Sequence, residues 1–179
     1  MRKLSMDELN RVSVEKFLLL EKLPVMCVLD NVRSQYNIGS IFRTSDAFRI
    51  EELYLCGITA TPPNREINKS ALGATESVKW QYFAETSEAI DSLKKSGYKI
   101  VAIEQAEGSI PLEDFIPEIT DKIALVFGNE VSGVSDEIMG KVDICVEIPQ
   151  FGTKHSFNVS VTAAIVLYQF YTALKNHLK

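Results

Sequence analysis

Three separated segments, residues 31–44, 126–133 and 148–160, concentrate side chains that a hydrophobic core does not need. Each mixes glycine with amide, hydroxyl or charged groups. Glycine lets a backbone approach a ligand closely, and polar groups of this kind are costly inside a core unless hydrogen-bonded. Pooled, the segments offer backbone amides and carbonyls, a few amide and hydroxyl side chains, the carboxylate Glu130 and the arginine Arg43. Such a set suits a purine-bearing cofactor read by main-chain hydrogen bonds. Neither Gly-x-x-x-x-Gly-Lys-Ser/Thr nor Gly-x-Gly-x-x-Gly occurs, which disfavours the usual nucleotide hydrolases and nicotinamide dehydrogenases.

The segments need elements to position them. Apolar runs at 25–29, 53–56, 99–103, 123–127 and 144–148 read as short buried strands, and 78–83 alternates like another. Helical spacing covers 7–22 with Asp7 as a cap, about 38–48, 86–95 closed by Gly97, and 159–174. Residues 57–77, with Pro62, Pro63 and Gly73, read as a long loop with at most one helical turn. Strands alternating with helices give an α/β fold with a mostly parallel sheet flanked by helices. If the strands are parallel, the three segments leave or enter the same edge, where ligands bind in open α/β sheets. The last helix is apolar around nearly its whole circumference, so it is either buried in the monomer or packed on a second subunit, and we favour the subunit contact.

Composition sets the outer bounds. A chain of 179 residues with 46% hydrophobic and 24% charged residues suits one soluble domain. We read residues 1–22 as a helical extension and 23–179 as the domain. The longest apolar run, Ala163 to Tyr168, is far below the roughly 20 residues of a membrane span. No secretory pattern opens the sequence, so a cytoplasmic protein is expected. Cys27, Cys56 and Cys145 sit singly in apolar runs, and no spacing suggests a metal site. Net charge is −5, yet all six arginines fall within the first 65 residues, which places any phosphate or RNA footprint in that half.

Taken in order, Asn37-x-Gly39-x-x-x-Arg43-Thr44, Phe127-Gly-Asn-Glu-x-x-Gly133, and Ile148-Pro149 followed by Ser156-x-Asn158-Val-Ser160 resemble the motifs of the SpoU (TrmH-like) branch of the SPOUT RNA ribose 2′-O-methyltransferases. The resemblance spans about residues 24–174. Lys69 with Gly73-Ala74 is similar to the segment linking the first two motifs. It implies a carboxy-terminal trefoil knot, S-adenosylmethionine as methyl donor, no metal, a homodimer, and RNA as substrate. The absence of a separate RNA-binding domain ahead of the motifs favours tRNA over rRNA.

By the same resemblance, Arg43 activates the ribose 2′-hydroxyl. Guanidinium is ordinarily never deprotonated, so we prefer a fixed positive charge on the developing alkoxide over a general base. Asn37 would position Arg43 or the ribose, although it could equally cap a helix. Glu130 would hold asparagine or arginine side chains in place. Ser156 and Asn158 would touch cofactor and substrate, besides capping the last helix. Phe127, Gly128, Ile148, Pro149, Phe157 and Asn158 would hold the adenosyl group. Phe157 replaces the more usual leucine and keeps the position apolar. RNA contact would fall to Arg33, Arg43, Arg65 and Lys69. His155 is assigned to a polar loop. The competing possibilities are a catalytically silent RNA- or adenosyl-binding module on the same fold, and an unrelated α/β enzyme using another nucleotide.

Overall fold

Seven strands form one sheet: β1 (Leu23–Asp30), β2 (Ile50–Cys56), β3 (Lys79–Phe83), β4 (Lys99–Ile103), β5 (Ile110–Pro111), β6 (Ile123–Phe127) and β7 (Ile144–Glu147). Their order is β3-β2-β1-β6-β4-β7-β5, and all the pairings are parallel. The sheet is thus wholly parallel rather than mostly so; among the described residues the one antiparallel contact is the isolated bridge Asn129–Gly133. The computed structural model describes every residue except Met6, Ile119 and Lys179, with the side chain of His177 also outside the described set.

Strand residues alternate between two cores, as a sheet buried on both faces requires. Val25, Cys27 and Leu29 of β1 face the helices α2 (Gln35–Ala47), α3 (Arg65–Ala71) and α7 (Val159–Leu174). Met26 and Val28 face α5 (Thr86–Lys95) and α6 (Asp136–Met139) on the other side. Registers such as Leu29 opposite Leu55 and Phe127 keep the central strands level. Their carboxyl ends therefore reach one common edge.

Several expected boundaries move, each for a local reason. The amino-terminal stretch is not one helix over 7–22: Asp7–Leu9 makes a single 3-10 turn, Asn10 turns left-handed at φ 48°, and Ser13 caps a new helix, α1 (Val14–Leu19). Helix α2 starts ahead of Ile38 because Ser34 accepts the amide of Asn37; the N-cap is Ser34, and Asn37 lies inside the first turn. Residues 57–77 hold two helices, α3 and α4 (Ala74–Ser77), separated by Leu72 and Gly73 in the left-handed region. Asn64 caps α3 by accepting from Glu66 and Ile67. β5 and α6, at two and four residues, are too short for a periodic signal.

Gly39 lets α2 and α3 pack backbone to backbone, since a Cβ there would overlap Ser70 Oγ and the Ile67 carbonyl. Helix α7 buries Val159, Ala163, Val166, Leu167, Phe170 and Leu174, and leaves Val161 46% and Tyr168 57% exposed. Phe17 of α1 is buried, and α1 contacts α4. Among the described residues no helix is long and apolar enough to cross a membrane. No group of three or more His, Cys, Asp or Glu among them could hold a metal ion.

Candidate active site

Four segments leave the carboxyl edge of the sheet next to one another: 31–34 after β1, 104–106 after β4, 128–135 after β6 and 148–158 after β7. The last three enclose a cavity of about 630 Å³, a size suited to a nucleoside-like ligand. Phe127, Gly128, Glu130, Ile148, Ser156 and Phe157 all line it. Pro149 and Asn158 flank the lining without belonging to it. Its carboxylates are Glu104, Glu130, Asp136 and Glu147, and no Lys or Arg is among the described residues that line it. That charge favours a cationic ligand.

A hydrogen-bond relay joins the three sequence segments. Glu130 Oε1 accepts from the Ser34 amide and from Asn37 Nδ2, each at 2.9 Å, and Oε2 accepts from the Arg33 amide at 2.9 Å. Asn37 Oδ1 in turn accepts from Asn158 Nδ2 at 3.1 Å and from Ser160 Oγ at 3.5 Å. Asn158 Oδ1 caps α7 through the amides of Ser160 and Val161. A carboxylate placed before the first turn of α2 also meets the positive end of that helix. Burial alone would raise the Glu130 pKa. The Arg33 and Ser34 amides and the Asn37 side chain outweigh burial and hold the carboxyl below its ordinary range.

The 128–135 loop is shaped by backbone contact. A Cβ on Gly128 would overlap the Gly133 carbonyl carbon and the Val134 nitrogen, so only glycine allows the loop to fold onto itself there. Asn129 and Gly133 exchange backbone bonds at 2.9 Å, and Asn129 Oδ1 accepts from Val131 and Ser132. Glu104 Oε2 accepts the Val134 amide at 3.0 Å, and Gln105 Nε2 donates to the His155 carbonyl at 2.8 Å. Glu104 and Gln105 escaped the sequence reading because they follow an apolar strand with no motif around them. Their position just past the carboxyl end of β4 was the available signal.

Arg43 lies elsewhere. It is exposed and lines a separate groove of about 790 Å³ with Arg11, Arg49 and Lys175 and with the carboxylates Asp46 and Glu76. It has no hydrogen-bond or ion-pair partner among the described residues. Six residues beyond Asn37, it sits about 9 Å along α2 and roughly 120° around it. Both polar atoms of Asn37 are engaged by Glu130 and Asn158, not by Arg43. Of the other cations, Arg33 and Arg65 are exposed, and Lys69 pairs with Glu66 at 2.8 Å. None of these three lines either cavity.

The cavity fits an adenosyl methyl donor on three counts: volume, a lining that presents the Gly128 and Gly133 backbone, and acidic walls suited to a sulfonium. Comparisons with known proteins bear on the same point. Residues 24–168 match the model of the SpoU rRNA Methylase family. A tRNA (guanosine(18)-2′-O)-methyltransferase of Borreliella burgdorferi is 30% identical over 167 residues, covering 93% of this chain and 74% of the relative. The crystal structure of the Aquifex aeolicus TrmH/SpoU tRNA modifying enzyme superimposes with a TM-score of 0.81 at 26% identity, covering 92% of this chain and 82% of that one. An AdoMet-bound rRNA methyltransferase from Sinorhizobium meliloti gives 0.76 at 25% identity, covering 89% of this chain and 62% of that one.

Proposed function

The chain belongs to the SpoU rRNA methylase family, and from that premise we propose that it is an S-adenosylmethionine-dependent methyltransferase acting on a ribose 2′-hydroxyl of RNA, with tRNA preferred over rRNA. The observation that carries the proposal is the Glu130–Asn37–Asn158 relay, which ties three distant segments together beside one cavity. When bound, the methyl donor would supply an electrophilic methyl on a sulfonium sulfur; the neutral thioether would be its leaving group, and the proton of the accepting 2′-hydroxyl would pass to water.

The residues of the chain then divide the work. Gly128 admits the donor against backbone, with Phe127, Ile148 and Phe157 as apolar walls and main-chain partners for the adenosyl group, and Pro149 holding the chain beside them. Ser156 and Asn158 sit where donor and ribose meet. Glu130 fixes Asn37, and Asn37 fixes Asn158. Arg43 stabilises the developing alkoxide as a permanent charge, a form of electrostatic catalysis that needs no deprotonated guanidinium. Arg33, Arg65 and Lys69 meet RNA phosphates, as does the groove that Arg43 shares with Arg11 and Arg49.

Arg43 does not line the cavity of its own chain. This supports a homodimer in which the cavity of one subunit is completed by Arg43 of the other. The exposed Val161 and Tyr168 give α7 an apolar face for that contact. With the family fold we also propose a trefoil knot in the carboxy-terminal segment, residues 1–22 as an extension of the domain, and a cytoplasmic location. The same displacement of Arg43 supports a second reading, a silent adenosyl-binding module. Mapping 2′-O-methyl groups in RNA from a strain lacking the protein separates the two. The enzyme reading expects one ribose position to lose its methyl group; a silent module leaves every position unchanged.

A further inference from the structure

We infer that Asp30, which touches neither the cavity nor the relay, is a positioning residue that sets the floor of the methyl-donor site. The inference rests on the reading of the cavity as an S-adenosylmethionine site.

Asp30 ends the central strand β1 and is 1% exposed. Among the described residues its carboxylate accepts four hydrogen bonds and has no cationic partner. Oδ1 accepts from Thr86 Oγ1 at 2.6 Å and Asn31 Nδ2 at 2.9 Å. Oδ2 accepts from the amide and the hydroxyl of Ser135, both at 3.0 Å. Ser135 is the residue before α6, yet its hydroxyl makes no capping bond and goes to Asp30 instead. The next residue, Asn31, accepts from Asn129 Nδ2 on its carbonyl at 2.7 Å. Residues 30 and 31 therefore grip the 128–135 loop at both ends, 129 and 135, from the side away from the cavity.

The grip reaches the cavity through backbone. Ser135 fixes Val134, and Val134 with Gly133 lies against Gly128, so closely that no Cβ fits between them. Gly128, Gly133 and Val134 all line the cavity, whereas Asp30 and Ser135 do not. A carboxylate is required for this. It is acceptor-only, and four donors converge on it; an amide would turn one donor of its own toward them. A buried carboxylate held only by neutral donors is costly to desolvate. It is placed here because Oδ2 must answer two donors of one loop residue.

The two sides of the carboxylate give the test. Ser135→Ala and Thr86→Val each delete one hydroxyl donor to Asp30, but only Ser135 belongs to the loop. Binding of S-adenosylhomocysteine is measured by titration calorimetry for the wild type, both variants and Asp30→Asn, with thermal midpoints alongside. Hydrogen exchange is followed at the Gly133 and Val134 amides. The inference expects Ser135→Ala to weaken binding roughly tenfold and to speed exchange at those two amides. Thr86→Val should lower the midpoint and leave both readouts at wild-type values. Equal weakening in the two variants, or unaltered binding in Ser135→Ala, overturns the inference and leaves the cavity assignment standing. Failure of the wild type to bind overturns both. Should Asp30→Asn not fold, the Ser135 and Thr86 pair still decides.

Discussion

Replacing Asn37 with alanine strikes the centre of the relay. The side chain is buried, at 6% exposure; it donates one charge-assisted bond to Glu130 and accepts neutral bonds from Asn158 and, at 3.5 Å, from Ser160. Glu130 keeps the Arg33 and Ser34 amides, and both Glu130 and Asn158 remain open to water. The stability cost should therefore be about 1–2 kcal/mol, less than the full sum of its bonds. In a domain of this size that lowers the melting midpoint by about 2–8 °C. Catalysis should suffer more, because Asn37 is the link that joins Glu130 to Asn158 across α2. A misplacement on the order of 1 Å costs about a hundredfold in rate. The assay is a kcat/KM cycle of Asn37→Ala, Asn158→Ala and the double variant, with methyl transfer to RNA as readout. Coupling of about 1 kcal/mol or more between the two sites is expected. Additive effects, or a single Asn37→Ala variant with wild-type kcat/KM, would show that the relay does not organise the site.

Three further outcomes follow from other parts of the structure. The folded Glu130 carboxyl ionises more readily than the unfolded one, so its contribution is complete above the unfolded value of about 4.3 and is lost as pH falls through the folded value. Urea unfolding across that acid range should show wild-type stability falling more steeply than that of Glu130→Gln; parallel curves would refute the depressed pKa. Gly128→Ala forces a Cβ into the Gly133–Val134 backbone and should abolish donor binding by calorimetry while the far core, read by α5 hydrogen exchange, stays protected. Val161→Asp puts a charge on the uncovered face of α7 and should shift the protein from dimer to monomer in sedimentation; an unchanged mass would remove α7 from the interface.

Much of the fold was legible because its elements are long or strongly patterned. The ranges 86–95, 99–103, 123–127 and 159–174 coincide with α5, β4, β6 and α7. Elsewhere local capping decided matters that periodicity does not carry. Ser34 begins α2 early, Asn64 starts a helix inside a stretch rich in loop residues, and Asn10 interrupts the amino-terminal helix. In the site, the convergence of three segments followed from parallel strands, and the cavity lining contains six of the residues given a catalytic or cofactor role from sequence. What remained hidden were contacts across the chain. Asp30 and Glu104 stand just past the apolar runs 25–29 and 99–103, and nothing in the sequence shows that their acceptor oxygens hold Ser135 and Val134. The separation of Arg43 from the cavity was equally invisible, because a motif gives spacing along a helix and not the face it presents.

Methyl transfer to RNA tests the central claim most directly. Purified protein is incubated with methyl-labelled S-adenosylmethionine and undermodified tRNA or rRNA, and the RNA is digested to nucleosides. The account predicts label in a 2′-O-methylnucleoside with wild-type protein and none with Arg43→Ala, while Arg43→Ala still binds the donor. Label on a base, or full activity without the Arg43 guanidinium, would contradict it.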